Sequence, residues 1–357
     1  MMHTKRKAWL VVVITVLLIK LFSLFPSAVE RYYSNGFYPV LSRLLRVLFG
    51  WIPFSIGDLL YGFVAIVLLV KLWRFIQALR AKKPLWKPRL QWLFFYMLTV
   101  YAVFNLFWGL NYNRLGTAQQ LQLELKPYST GELDTVLQVM LQRLESTADA
   151  SLQTRDHYLH KRNLFDTAVH SYAMVEQKYP QLVYRNRSVK PSLFSYLGDY
   201  MGYTGYYNPF TGEAQVNTTV PVFVQPFTTC HEMGHQLGYA KENEANFAGF
   251  LSARASADPA FRYSVYFDMY SYGIRELYGR DSARALELNK RKPIQVKKDV
   301  QTLQRFYDDY ENPIEPYIRK LYGQYLRANE QPSGMKTYSE VMAFLVAYGK
   351  KFGVNSL

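Results

Sequence analysis

Three long apolar runs open the chain, at about 9–25, 54–76 and 92–110. An α-helix needs roughly 20 residues, range ~17–25, to cross a bilayer, so the pattern predicts three N-terminal transmembrane helices. No small-residue cleavage site follows the first run and two more runs come after it, which makes it an uncleaved helix rather than a signal peptide. Lys20 and Asp58 fall near helix ends, where a polar tip reaches the interface at little cost. Between the first two runs, Leu41, Leu44, Leu45 and Leu48 keep helical spacing. Such an amphipathic stretch suits a helix lying on the membrane surface.

Beyond residue 110 the texture changes. Ser129 and Glu132 have capping-box spacing ahead of Leu133, Val136, Leu137, Met140, Leu141 and Leu144. Helical spacing recurs over 163–179, 242–255, 258–277, 295–311 and 336–352. Residues 190–220 are rich in Tyr, Gly and Pro and read as short strands and turns, including 213–217. The expected organisation is mainly α: a membrane anchor over 1–110, then an α+β domain with a small sheet over 111–357.

Charge orients this arrangement. The 357-residue chain carries a formal +15, a value that alone would suit nucleic acid or an anionic surface. Its distribution excludes nucleic acid as the partner. Residues 1–91 hold fourteen Lys and Arg against only Glu30 and Asp58, whereas the other 28 basic residues are met by 25 acids. Lys5, Arg6 and Lys7 precede the first run, and Arg80, Lys82, Lys83, Lys87 and Arg89 separate the second from the third. By the positive-inside rule both belong in the cytoplasm. Three crossings then deliver the C-terminal domain to the extracytoplasmic side. The single cysteine, Cys230, excludes an intramolecular disulfide.

The candidate chemistry lies at 228–250, TTCHEMGHQLGYAKENEANFAGF. His231 and His235 are one turn apart on a helix and share a face. Glu232 beside them has the position of a general base in the H-E-x-x-H pattern, where two imidazoles bind Zn2+ and a carboxylate takes a proton from the attacking water. Gly238 suits a left-handed helix cap, after which a third ligand is needed. Lys241 occupies the place of the metzincin histidine; the acids that remain are Glu242, favoured, and Glu244, in reserve. Asn246, one turn from Glu242, is placed to support a ligating histidine. Cys230 points about 100° away from His231 and is read as a buried apolar side chain. His157 and His160 complete no ligand pattern and read as surface residues. For substrate binding or stabilisation of an oxyanion the candidates are Asn217 and, of the 30 tyrosines, Tyr206, Tyr207, Tyr266 and Tyr270.

The run H-E-M-G-H-Q-L-G-Y-A-K-E-N-E-A-N-F, with G-Y-Y-N-P-F-T-G-E-A-Q-V-N at 205–217, resembles an uncharacterised family of bacterial membrane proteins. That family is a domain of unknown function in the H-E-x-x-H zinc-metallopeptidase clan. The E-x-E-A-N piece is similar to the third-ligand segment of gluzincins, where E-x-x-x-D or E-x-x-x-N begins with the ligating glutamate; this implies Glu242, with Asn246 as its partner. The resemblance implies a zincin-like domain, Zn2+ as the cofactor and no haem or nucleotide. The expected protein is a multi-pass protein of the bacterial cytoplasmic membrane, a zinc metallopeptidase acting on extracytoplasmic or membrane-proximal proteins or peptides, with the lipid bilayer as its other partner. A catalytically silent zinc sensor or binding module is the alternative. The presence of Glu232 favours the enzyme, since a structural zinc is closed by four ligands and needs no base.

Overall fold

The computed structural model describes residues 2–81 and 86–357, with side chains over 6–81 and 91–357. Lys82 and Lys83 of the expected cytoplasmic loop lie outside the described residues, as do the side chains of Lys5, Lys87 and Arg89. The chain is mainly helical, with one small sheet. The principal helices are α1 (Met2–Ser23), α2 (Tyr38–Gly50), α3 (Ile56–Arg80), α4 (Trp86–Phe107), α5 (Thr130–Thr154), α6 (Lys161–Val175) and α7 (Ser195–Met201). They continue with α8 (Gln225–Gln236), α9 (Glu242–Ala255), α10 (Pro259–Arg280), α11 (Ser282–Lys290), α12 (Ile294–Asp309), α13 (Glu315–Ala328) and α14 (Val341–Phe352). The strands are β1 (Val189–Pro191), β2 (Gly205–Asn208) and β3 (Glu213–Val216).

The three expected membrane spans are not three. Among the described residues one helix, α3, is long and apolar enough to cross by itself. Arg6–Ser23 qualifies only together with Pro26–Gly50, to which it is bent by 100°, giving at most two. The third apolar run yields a shorter helix, Gln91–Phe107. Its remainder turns inward: Trp108 and Leu110 are buried at a 3₁₀ turn over Gly109–Asn113. The apolar pattern was the same for lipid and for protein core, and tertiary packing divided it. α1 and α4 run side by side in one direction, with Trp9 against Phe94 and Phe95 and Lys20 over Tyr101.

Asp58 does not reach toward solvent. It is fully buried, and its carboxylate accepts from Leu193 N at 2.6 Å, Ser192 Oγ at 3.2 Å and the Tyr206 hydroxyl. Glu213 on β3 accepts from Gly57 N at 2.6 Å and Ile56 N at 3.2 Å. A carboxylate at the first-turn amides of α3 both satisfies them and complements the helix dipole. The head of the apolar helix is thereby tied to the sheet. In α2, Ser42, Leu45 and Arg46 face the protein, while Val40, Leu44, Val47 and Leu48 are exposed.

The sheet order is β1-β3-β2, with β1 parallel and β2 antiparallel to β3. β3 is central and buried throughout, so the stretch 213–217 is not an edge; β2 is. The main core joins α5, α6, α8, α9, α10 and α14 through residues such as Leu133, Leu137, Phe247, Phe261 and Leu345. Ser129 and Glu132 form the expected capping box, each side chain bonding the other's backbone N–H. A second apolar cluster crosses residue 110: Ile19, Val29, Tyr33, Tyr38, Ala102 and Trp108 pack with Tyr207 and Ala240.

Candidate metal centre

Every residue of α8 is buried, which explains why this helix lacks a simple polar–apolar alternation. Its C-terminus closes as a Schellman motif: Gly238 N bonds His235 O at 2.9 Å and Tyr239 N bonds Gly234 O at 3.3 Å. Gly238 sits at φ +86°, a left-handed conformation that costs glycine little. This turn also aims a histidine, because Tyr239 O lies 2.7 Å from His235 Nδ1. With Nδ1 engaged, Nε2 is the atom turned to the site. The remaining carbonyls of the helix end are bound from the N-terminal segments. Gln236 O accepts from Ser42 Oγ at 2.8 Å and Tyr38 Oη at 3.1 Å, and His235 O accepts from Trp108 Nε1 at 3.2 Å. Arg114 holds the turn itself: Nη1 donates to Gly238 O at 3.1 Å, while the guanidinium is paired with buried Glu30 at 2.9 Å.

α9 then brings the next acid back across α8. Gly249 allows the approach, since a Cβ there would stand 3.1 Å from His231 N and 3.2 Å from its Cα. Glu242 Oε2 lies 3.3 Å from His231 Nε2 and 3.5 Å from His235 Nε2. The imidazole centroids are 4.7 Å apart. His231, Glu232 and His235 each offer a ligand atom, all within 4.8 Å of one another, and this buried group could hold a metal ion. Glu242 stands beside this group. Two ligands at about 2.0–2.1 Å from a tetrahedral ion stand roughly 3.3–3.4 Å apart, matching the Glu242–histidine separations better than those of a direct hydrogen bond. Glu232 Oε2, Glu242 Oε2 and His231 Nδ1 are buried without a hydrogen-bond partner, as is Glu244 Oε2.

Electrostatics separates the two glutamates. Burial raises Glu232 to about 7, against the opposing pull of His231 and His235. Burial would also raise Glu242, but the two histidines outweigh it and hold the carboxylate well below its ordinary range. For His235 burial works downward, and the Glu242 carboxylate overcomes it, raising the imidazole to about 9. One carboxylate is thus held charged against the imidazoles, and the other is poised near neutrality.

The reserve candidate Glu244 points elsewhere. Its Oε1 occupies the space beside Gly116, and it senses Lys241, Arg114 and Glu30 rather than the histidines. Asn246 donates to Tyr338 O at 3.1 Å instead of supporting a histidine. None of the five suggested substrate or oxyanion residues faces the centre. Tyr206 bonds Asp58, Tyr207 meets Tyr38 Oη at 3.2 Å, and Asn217 donates to Asp199 at 2.8 Å. Tyr266 and Tyr270 belong to the core on α10. Cys230 is buried, 3.8 Å from Ser252 Oγ, and His157 and His160 are exposed. The tyrosines that do reach the centre come from the C-terminal part. Tyr322 Oη donates to Glu242 Oε1 at 2.8 Å, Tyr338 Oη is 3.4 Å from Tyr322 Oη, and the Tyr338 ring stacks on His231. Burial and the Glu242 charge push both phenols well above 10, so they remain donors. No local pattern distinguishes them from the other tyrosines; only the return of α13 and the following turn over α9 does.

A family model described as Protein of unknown function (DUF3810) matches residues 33–346. The chain belongs to this uncharacterised family. No curated protein and no solved structure matches it.

Proposed function

We propose that the protein is a membrane-anchored zinc metallopeptidase of gluzincin-like type, hydrolysing peptide bonds of extracytoplasmic or membrane-proximal proteins. The observation that carries this reading is Glu242 Oε2 lying 3.3 Å from His231 Nε2 and 3.5 Å from His235 Nε2, with the buried, unpartnered Oε2 of Glu232 in the same cluster. Two imidazoles and one carboxylate, with a position left open, form a catalytic rather than a structural zinc set. When bound there, the ion supplies Lewis-acid chemistry, polarising water and the substrate carbonyl. Glu232 takes a proton from the attacking water and returns it to the leaving amine. Tyr338, whose ring stacks on His231, is the donor for charge developing on the carbonyl oxygen. A Cβ on Gly205 would stand 2.8 Å from Glu232 Oε1, so edge strand β2 begins directly over the base. An extended peptide added to that edge would pass the centre.

The membrane placement rests on α3. Its head is bound to the sheet by Asp58 and Glu213, and its far end carries Lys71, Arg74 and Arg80. By the positive-inside rule the far end is cytoplasmic, which puts the metal centre on the extracytoplasmic side of the bacterial cytoplasmic membrane and the N-terminus inside.

Glu232→Gln tests the enzyme. It keeps the side-chain size but cannot accept the proton, so zinc content and fold are retained while cleavage of a peptide library falls by a factor on the order of 10²–10⁴. Equal cleavage profiles for the two zinc-loaded proteins would discard the peptidase in favour of a zinc sensor.

A further inference from the structure

α13 is oddly placed for a helix that touches a metal centre. It carries Tyr322 to Glu242 and Tyr325 to Tyr112 Oη at 3.2 Å, yet only Gly323 and Leu326 within it are buried. Its other apolar side chains lie open: Tyr317 is 70 % exposed and Leu321 65 %, with Ile314 just before the helix similarly bare. Against it packs α7, where Tyr196 and Leu197 are also exposed, as is Leu193 just before it. Asn312 Nδ2 bonds Tyr200 O at 2.7 Å, and Tyr310 rests edge-on to Tyr196 and Tyr200. A contiguous apolar and aromatic face of this kind marks an interaction surface.

Continuity identifies what covers it. The backbone N–H of Leu193 is bound by Asp58 at the head of α3, and Phe194 lies against Gly62 one turn further along α3. The open face therefore begins where the apolar helix ends. Tyrosines mixed with leucine and isoleucine are the composition of the membrane–water boundary. Within α13, Arg319 is paired with Glu315 at 2.6 Å, while Lys320 and Arg327 are exposed and form no ion pair among the described residues; free cations suit phosphate headgroups.

We propose that α7 and α13 lie in the outer headgroup layer of the phospholipid bilayer, which sets the Tyr322–Glu242 bond, and with it the metal centre, beside the membrane surface. This rests on the membrane placement given above and deepens it: the substrate is a polypeptide segment held at the bilayer surface, and α13 is a lipid-seated element bearing a hydrogen bond to the third ligand. An interfacial helix buries its apolar face ~5–10 Å into the headgroup–acyl boundary.

Spin labels on the full-length protein in phospholipid nanodiscs test this, in a Cys230→Ser background. Labels at Tyr317→Cys, Leu321→Cys and Leu197→Cys should be more accessible to oxygen than to a nickel chelate, at depths of ~5–10 Å. Leu68→Cys on α3 is the lipid reference and Gln301→Cys on α12 the aqueous one. If the three labels behave like Gln301→Cys while Leu68→Cys is lipid-exposed, the proposal fails and the membrane placement stands. If Leu68→Cys is also water-exposed, the placement itself fails. Dipolar broadening between Leu321→Cys labels, with no oxygen preference, would mean that a second copy covers the face and would equally overturn the proposal.

Discussion

Replacing Tyr322 by Phe removes one hydroxyl and almost no volume. That hydroxyl donates to Glu242 Oε1 at 2.8 Å, while Glu242 Oε2 faces the two histidines. The bond fixes the rotation of the carboxylate and so the position of the proposed third ligand atom. Hydrogen bonds to charged groups contribute about 1.5–3 kcal/mol, and losing such an outer partner typically costs 10–100-fold in metal affinity. Tyr322 is 37 % exposed, so water replaces part of the bond and the expectation falls at the low end, about tenfold. The assay is competition for zinc with a chromophoric chelator, using full-length protein in micelles. Tyr325→Phe is the control, because its hydroxyl meets Tyr112 rather than a ligand, and it should leave affinity unchanged. Equal affinities for wild type and Tyr322→Phe would refute the assignment of Glu242 as the oriented ligand.

Further expectations follow from the same geometry. The Glu242 carboxylate raises His235 in the metal-free protein from 6.5 to about 9, so zinc must displace a proton below that pH. Affinity should rise roughly tenfold per unit toward pH 9, with about one proton released per ion in calorimetry across buffers; a flat profile would show His235 neutral throughout. By the same linkage, the metal-free fold loses the contribution of this ion pair as pH rises through about 9. Gly249→Val pushes a branched side chain against His231 backbone atoms 3.1–3.2 Å from its Cβ and should destabilise by about 1–3 kcal/mol in chemical denaturation, with zinc affinity reduced; unchanged stability would mean that α8 and α9 are not so closely packed. Arg114→Met leaves Glu30 buried and unpaired and frees Gly238 O. The cost should be about 3 kcal/mol, the low end for a broken buried pair, because Gln120 and Asn35 still donate to Glu30. Glu30→Gln in the same chain should recover part of the loss, and additive losses would argue against the pair.

The local sequence determined what depends on neighbours along the chain. The four-residue histidine spacing, the glycine cap at 238 and the Ser129–Glu132 capping box each need only one turn of helix to act, and each is present in the fold. The choice of Glu242 over Glu244 required the third dimension: both acids sit in the first turn of α9, and only the path of that helix across His231 decides which faces Nε2. Apolar length could not separate lipid from core, because Trp108 and Leu110 satisfy either; contact with the end of α8 settled them inward. The tyrosines were the least legible feature. With 30 in the chain, composition assigns none of them. Tyr322 and Tyr338 acquire their place only because α13 and the following turn fold back more than 80 residues beyond the H-E-x-x-H helix onto Glu242 and His231. Such long-range contacts arise from the packing of whole helices, and no periodicity in the local sequence encodes them.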